Sequence, residues 1–190
     1  MRTLLVLLSL TATGADVKPI VPTTGAKAAG PYTPGLLTGD FLYVAGRGSS
    51  GAGGPTIEGQ TRACLDNVKG IVETAGLTMD DVVYAHLYLS DIKNYEAVNK
   101  VWPEYFKDAP ARATVGVARI PVNDSIEVTV VARKGANKRL KISGVQNPVP
   151  ISQGVFAGDR FYIAGILGQW ALRLKRTSPQ VWAEKVGSGA

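Results

Sequence analysis

The sequence predicts an α+β sandwich in which two helices cover one face of a mixed β-sheet. Two observations predict this fold class. Apolar residues make up 45% of the 190 residues, which is enough for a packed core. Hydrophobic periods typical of strands and of helices alternate in the order β-α-β-α-β-β, with room for one extra strand near the N-terminus.

The first elements are a short strand and an amphipathic helix joined by a Gly-rich loop. FLYVAG at 41–46 is an apolar strand, and the Gly/Ser stretch at 46–54 lacks the Gly-Lys-Ser/Thr ending of a phosphate-binding loop. From Ile57 to Val72 apolar residues recur at helical spacing. Thr56 is the candidate N-cap and Gly76 the candidate residue just beyond the C-terminus.

A strand, a helix and two further strands follow. DVVYAHLYLS at 81–90 alternates with period two, which predicts one apolar face and one aromatic face: Val83, Ala85, Leu87 and Leu89 against Tyr84, His86 and Tyr88. The helical period returns at 94–106, with Asn94 as the candidate N-cap and Pro103 expected to kink or split the helix. The stretches ATVGVA at 113–118 and SIEVTVVARK at 125–134 are predicted as the last two strands.

The N-terminal 15 residues, MRTLLVLLSLTATGA, have the layout of a secretory signal peptide. Arg2 precedes an apolar run that is too short to span a bilayer, and small residues follow it. We therefore expect a chain exported to the periplasm or secreted. The alternative is a cytoplasmic protein whose first residues are a mis-assigned start or a core strand.

The net charge of +6 is unevenly distributed along the chain. Residues 16–132 hold ten Lys and Arg against 13 Asp and Glu, whereas residues 133–141 hold five basic residues and no acid. Because the basic excess lies outside the central segment, it does not support a surface that follows nucleic-acid phosphates. We divide the chain into a domain at 16–135, a basic linker at 136–147 and a C-terminal segment at 148–190.

The C-terminal segment begins as a second copy of the N-terminal strands. PYTPGLLTGDFLYVAG at 31–46 reappears as PVPISQGVFAGDRFYIAG at 148–165, with an offset of 119 residues. We interpret residues 148–190 as a truncated second repeat with a divergent tail, the alternative being a C-terminal hairpin followed by a basic helix. We expect this fragment to expose its apolar strand at 160–165.

Arg112 lies in a stretch that otherwise has the composition of a buried strand. A guanidinium in a β core is costly unless an anion or a fixed acceptor meets it. Glu127, which alternates with the apolar residues of its own strand, is a candidate partner. Two interpretations stay open: a structural ion pair, or a site in which Arg112 binds a ligand carboxylate while Glu127 handles a water.

The chain has one cysteine and one histidine, which excludes several kinds of metal and disulfide site. With Cys64 and His86 alone, the chain has no internal disulfide, no Cys-rich metal site and no multi-His metal centre. Cys64 is expected to be a packed thiol and His86 a structural imidazole in mid-strand. No metal ligands are predicted.

Several separated motifs resemble, in order, those of the Rid family of reactive-intermediate deaminases, also called the YjgF or L-PSP family. They are GPYTPG at 30–35, QTRACLDNVKGIVETAGLTMDDVV at 60–83, YEAVNKVWPEYF at 95–106 and PARATVGVARIP with the later IEV. The resemblance covers residues 30–134 almost without interruption. It implies a chorismate-mutase-like fold, a homotrimer with sites in the clefts between subunits, and hydrolysis of enamines and imines such as 2-aminoacrylate to 2-keto acids and ammonia, without a cofactor.

The resemblance also implies roles for individual residues. Arg112 matches the carboxylate-binding arginine and Glu127 the water-orienting acid. The substrate-binding positions fall on Tyr32, Gly46, Asn99 and Thr114. For Tyr32 a packed loop aromatic, and for Asn99 a helix-surface amide, stay open as alternatives.

Three departures from the family pattern affect substrate choice. Ala45 replaces a serine, Arg47 replaces a glutamine, and Thr114 replaces the cysteine of well-studied members. Because of them, a non-catalytic trimer that binds small carboxylates is an alternative function. An L-PSP-type endoribonuclease is a further one, which the single histidine and the acidic central segment disfavour.

Overall fold

In the computed structural model, six strands form one mixed sheet, and two helices pack on one of its faces. The structure describes residues 16–23, 30–141 and 151–165. The strands are β1 (Val17–Ile20), β2 (Gly35–Thr38), β3 (Phe41–Gly48), β4 (Val82–Leu89), β5 (Ala111–Gly116) and β6 (Ile126–Arg133), and the helices are α1 (Ile57–Thr74) and α2 (Tyr95–Tyr105). The sheet order is β1-β2-β3-β6-β4-β5, with only β4 and β5 parallel. The predicted α+β fold is confirmed.

Helix α1 begins and ends where its sequence signals predict. The Thr56 hydroxyl accepts a hydrogen bond from the Gly59 N–H at 3.2 Å, and Gly76 just beyond the helix has φ +76°. Its apolar face buries Leu65, Val68 and Ile71 against the sheet. Each such side chain contributes about 1.5–3 kcal/mol when it leaves water, so this face holds α1 in place.

The start of helix α2 differs from the prediction. Asn94 occupies the N-cap position, but its side chain makes no capping hydrogen bond, because the 3-10 turn at 92–94 leaves it with helical dihedral angles. Asp91 caps that turn instead, accepting from the Lys93 N–H at 2.9 Å. The helix also runs through Pro103 without a split and ends at Tyr105.

The face assignment of β4 is wrong at Val83. The pairing of β4 with β6 slips between Val82 and Tyr84, so a β-bulge takes up one residue there. Val82 therefore joins Ala85 in the core under the helices, while Val83 packs in a second cluster on the opposite side of the sheet. We call these sides the helix face and the outer face.

A second, three-stranded sheet covers part of the outer face. It consists of β7 (Asn137–Leu140), β8 (Gly154–Ala157) and β9 (Arg160–Ile163), with β8 in the middle. We call residues 151–165, which contain β8 and β9, the C-terminal hairpin. We expected the apolar strand at 160–165 to be exposed. This is wrong for Ala164, which is buried against the main sheet, whereas Ile163 is exposed and faces away from that sheet.

Some sequence-based predictions fall outside the described residues. They are the signal peptide at 1–15, the part of the predicted linker at 142–147, and the tail at 166–190. Export and the domain boundaries stay predictions. Within the described residues, no helix is long and apolar enough to cross a membrane.

Candidate active site

Arg112 lies inside β5 with its side chain under helix α2. It is paired with Ala85 of β4, which belongs to the core of the helix face, and only 2% of Arg112 is exposed. Its Nη2 donates a hydrogen bond to Oδ1 of Asn99 at 2.7 Å. The guanidinium carbon lies 4.6 Å from the ring centroid of Trp102 and 5.5 Å from that of Tyr95. Helix α2 thus supplies an amide and two aromatic faces to one arginine.

Four buried N–H groups in this cluster have no acceptor among the described residues. They are Nε and Nη1 of Arg112, Nδ2 of Asn99 and Nε1 of Trp102. Because all four are donors, a small molecule rich in acceptor oxygens would satisfy them, and a carboxylate matches the fork of a guanidinium best. Burial lowers the pKa of Arg112, and the phenol of Tyr95 partly offsets this. Burying the charged guanidinium of Arg112 therefore costs free energy, and a bound anion would reduce that cost.

Thr114 continues the same edge of the site. It lies two residues after Arg112 on β5, so its side chain is on the same face, and it pairs with Leu87 of β4. The side chain is partly buried. Its position agrees with a contact to a molecule held by Arg112.

Glu127 lies on β6 and rests against the backbone of Gly46. A Cβ added at Gly46 would collide with Oε1 of Glu127, so a larger residue there would displace the carboxyl group from its present position. The pairing of β3 with β6 is irregular between Val44 and Arg47, which places Gly46 in a bulge. The sequence-predicted Gly46 and Glu127 therefore lie together.

Asp124 is a further carboxylate near Glu127 that the sequence did not single out. It accepts hydrogen bonds from the Ser49 hydroxyl and from the Ser50 N–H, the latter at 3.1 Å. Burial raises the pKa of Glu127, and the negative charge of Asp124 raises it further. A carboxyl group with a raised pKa is suited to transferring protons near neutral pH. No periodic pattern in the Gly/Ser loop signals this contact in advance.

Tyr32 is held at the end of β3 by the residue that follows Gly46. Its hydroxyl accepts a hydrogen bond from Nη1 of Arg47 at 3.3 Å, and 42% of the residue is exposed. Arg47 stands at the end of β3, immediately after Gly46. Arg47, one of the three departures identified in the sequence, thus contacts Tyr32 directly.

The two groups are separated by the sheet itself. Arg112 is on the helix face, whereas Glu127 alternates with the core residues Ile126 and Val128 and therefore points to the outer face. Two strand spacings also separate β6 from β5. The structural ion pair left open by the sequence is not among the salt bridges of the described residues, and one copy does not bring Arg112 and Glu127 onto one small molecule.

Cys64 and His86 have structural surroundings. The Cys64 thiol is fully buried and donates to the carbonyl of Arg47 at 2.9 Å, and burial raises its pKa, so it stays protonated. The His86 ring stacks on Tyr88 with centroids 4.5 Å apart. The described residues contain no group of three or more potential metal ligands.

A groove of about 430 Å³ between the ends of α1 and α2 lies apart from these groups. Its lining consists of Asp66, Lys69, Glu73, Met79, Asp80, Glu104, Tyr105 and Lys107. Its charges are largely engaged, since Lys69 pairs with Glu73 and Tyr105 donates to Asp66. We place the candidate site at Arg112, where buried donors lack acceptors.

Comparisons with known proteins agree on one family. The family model described as Endoribonuclease L-PSP matches residues 10–134. A RutC family protein of Saccharolobus solfataricus is 42% identical over 114 residues, which span 57% of this chain and 90% of that protein. A RutC family protein of Pyrococcus horikoshii is 36% identical over 127 residues, covering 62% and 99%.

Solved structures show the same extent of similarity. The YjgF gene product of Escherichia coli superposes with a TM-score of 0.59 at 32% identity, and TdcF of E. coli with bound serine superposes with a TM-score of 0.59 at 28% identity. Each match covers 62% of this chain and 99% of the other. The family model ends at residue 134, before β7 and the C-terminal hairpin.

Proposed function

This chain belongs to the Endoribonuclease L-PSP family, and from that premise we propose that it hydrolyses reactive enamines and imines of small carboxylic acids. The substrate class is that of 2-aminoacrylate and its imine tautomer, and the products are a 2-keto acid and ammonia. The observation that carries the proposal is the set of buried donors around Arg112 that lack acceptors. The serine bound in E. coli TdcF is likewise a small carboxylate.

Binding depends on Arg112 and the residues around it. Nε and Nη1 lie on opposite edges of the guanidinium, so a carboxylate would accept from one of them and from the second N–H of Nη2, while Asn99 accepts from the other N–H of Nη2 and fixes the plane of the guanidinium. The aromatic faces of Trp102 and Tyr95 keep water from competing for the charge. Thr114 offers a hydroxyl beside the bound carboxylate.

The chemical step needs only a positioned water and a proton carrier. Glu127 accepts a proton from the water as its oxygen bonds to the imine carbon, the C=N double bond becomes single, and the nitrogen takes up a proton. The proton taken up by the nitrogen comes back from Glu127, and the resulting carbinolamine loses ammonia as a C=O bond forms, with Glu127 passing the hydroxyl proton to the leaving nitrogen. An imine is already electrophilic, so orientation and proton transfer by Glu127 suffice. No cofactor is required.

The site is completed by another copy of the chain, in a homotrimer with clefts between subunits. Arg112 and Glu127 lie on opposite faces of one sheet, and a single copy cannot bring both to one substrate, which supports this arrangement. Gly46, which lies against Glu127, would arrive from the same neighbouring copy, together with Tyr32, which is hydrogen-bonded to Arg47 next to Gly46.

A carboxylate-binding trimer without turnover is the second candidate. Ala45 favours it, because a serine hydroxyl at that position is absent from this chain. The two candidates differ in ammonia release and share carboxylate binding.

Ammonia release from 2-aminoacrylate generated in situ tests the proposal. Arg112→Ala should lower the rate at least about 100-fold, because two charge-assisted hydrogen bonds contribute about 1.5–3 kcal/mol each. The matched control is Arg62→Ala, which removes an exposed arginine paired with Glu104 on the far side of the helices and should leave the rate unchanged. Serine binding without ammonia release by chains that have associated into trimers would favour the second candidate. RNA cleavage that survives Arg112→Ala in pure protein would point to a separate nuclease site.

A further inference from the structure

The C-terminal sheet repeats the layout of the first three strands. Strand β8 covers residues 154–157 and β9 covers residues 160–163, which are the bounds of β2 and of the first half of β3 shifted by 119. Strand β7 pairs antiparallel with β8 along its whole length, as β1 pairs with β2. The sequence similarity of the two segments thus extends to their strand pairing.

The C-terminal hairpin docks on the outer face through apolar and aromatic contacts. Val155 and Ala157 are fully buried in a cluster with Ala111 of β5. The ring of Tyr162 stacks on that of Tyr84 with centroids 5.8 Å apart. At the other end the guanidinium of Arg160 lies 4.2 Å from the ring centroid of Phe41.

The ends of the hairpin pair with the backbone of β5, the edge strand of the main sheet. The Ser152 N–H donates to the carbonyl of Pro110 at 3.1 Å, and the Gly165 N–H donates to the carbonyl of Arg112 at 3.0 Å. The Ser152 hydroxyl also donates to the carbonyl of Ala109 at 2.7 Å. The hairpin therefore covers an edge that could otherwise pair with another chain.

Gly165 is the counterpart of Gly46 in the sequence repeat. Its hydrogen bond to Arg112 therefore places the equivalent of a predicted site glycine directly on the predicted carboxylate-binding residue. The surroundings differ, however. A Cβ on Gly46 would meet the carboxyl group of Glu127, whereas a Cβ on Gly165 would meet Ala113 and the Arg112 carbonyl. The hairpin brings the glycine and no acid.

We infer that the C-terminal hairpin occupies the place along β5 where the β2–β3 hairpin of a second copy of this chain would dock. The docked C-terminal hairpin therefore prevents the second copy from binding. The inference rests on the proposed function, since it concerns how Glu127 of one copy reaches Arg112 of another. When the C-terminal hairpin leaves, β2 and β3 of a neighbouring copy take its place along β5 and bring Gly46 and Glu127 to Arg112. While it stays docked, the site has no acid.

The matching surface of β2 is open, as this inference requires. Leu36 is the repeat counterpart of Val155, and it is 40% exposed where Val155 is 0% exposed. The C-terminal hairpin competes with the β2–β3 hairpin of another copy for the surface along β5. Because it belongs to the same chain, its effective concentration at that surface is on the order of millimolar. Copies at low micromolar concentration should therefore stay single, and association should require release of the hairpin.

The experiment compares the full chain with Val155→Asp, which places a charge in the docking cluster. The matched control is Ile163→Asp, the same kind of change on the face of β9 that points away from the main sheet. Ala157→Glu is a second docking variant in case Val155→Asp does not fold. Sedimentation at low micromolar concentration gives the mass, hydrogen exchange reports the Gly165 amide, and ammonia release gives the activity.

The parent chain and Ile163→Asp should sediment as single 20.0-kDa chains with a protected Gly165 amide. Both docking variants should lose that protection, sediment as three copies and release ammonia at least about tenfold faster. A parent chain that forms trimers while its Gly165 amide stays protected would overturn the inference. Docking variants that form trimers but release no ammonia would uphold the blocked surface and refute the proposed function.

Discussion

Arg112 carries its charge inside the protein with a neutral amide as its acceptor. Asn99→Asp would place a carboxylate at the atom that now lies 2.7 Å from Nη2. We expect this internal anion to neutralise Arg112, raise the free energy of unfolding in urea denaturation and lower ammonia release by at least about tenfold, since a buried charge pair replaces the substrate's carboxylate. Asn99→Ala, which adds no charge, is the control and should weaken activity while lowering stability. Full activity in Asn99→Asp would show that the charge of Arg112 is not what binds the substrate.

Glu127 should give the reaction a pH dependence that Asp124 controls. As a base, Glu127 acts when ionised, so the rate should rise with pH through its raised pKa. Asp124→Asn keeps an acceptor for Ser49 but removes a negative charge, which makes ionisation of Glu127 easier. The acid limb of the profile of kcat against pH should therefore move to lower pH. Asp16→Asn, an exposed change at the first described residue, should leave the limb in place, and an unmoved limb in Asp124→Asn would exclude Glu127 as the titrating base.

The sequence predicted the ends of a helix where those ends depend only on residues close by in the chain. Thr56 and Gly76 bound α1 because a hydroxyl cap and a left-handed glycine act within a few residues of the chain. Asn94 holds the predicted N-cap position without a capping bond, because the preceding 3-10 turn, with its own cap at Asp91, gives it helical dihedral angles. Competition between two adjacent caps is not visible in hydrophobic periodicity.

The bulges were beyond prediction because they depend on the partner strand. Val83 was assigned to the wrong face since a period of two holds only while the pairing register is kept. The bulge in β3 likewise places Gly46 under Glu127, through a contact between residues 81 positions apart. The sequence singled out the residues of the candidate site, but it did not show that Arg112 and Glu127 lie on opposite faces of the sheet.

At the scale of the whole molecule, the sequence repeat predicted the existence of the C-terminal strands but not their place. Docking on the outer face follows from the burial of Val155 and Ala157 against Ala111, a surface that only the assembled sheet creates. The same assembly keeps the predicted site residues Arg112 and Glu127 on opposite faces of the sheet in one copy. Association and activity are thus expected to be linked in this chain.

A complementation assay tests most directly whether Arg112 of one copy and Glu127 of another act on one substrate. Arg112→Ala and Glu127→Gln chains, each also carrying Val155→Asp so that copies associate, should be nearly inactive alone. The two chains are unfolded and refolded together in equal amounts. Each interface of the ring is active only when one neighbour contributes an intact arginine and the other an intact acid. With random pairing, the mixture should therefore recover roughly a quarter of the activity of the Val155→Asp chain. A mixture that forms mixed trimers yet stays inactive would contradict the shared site.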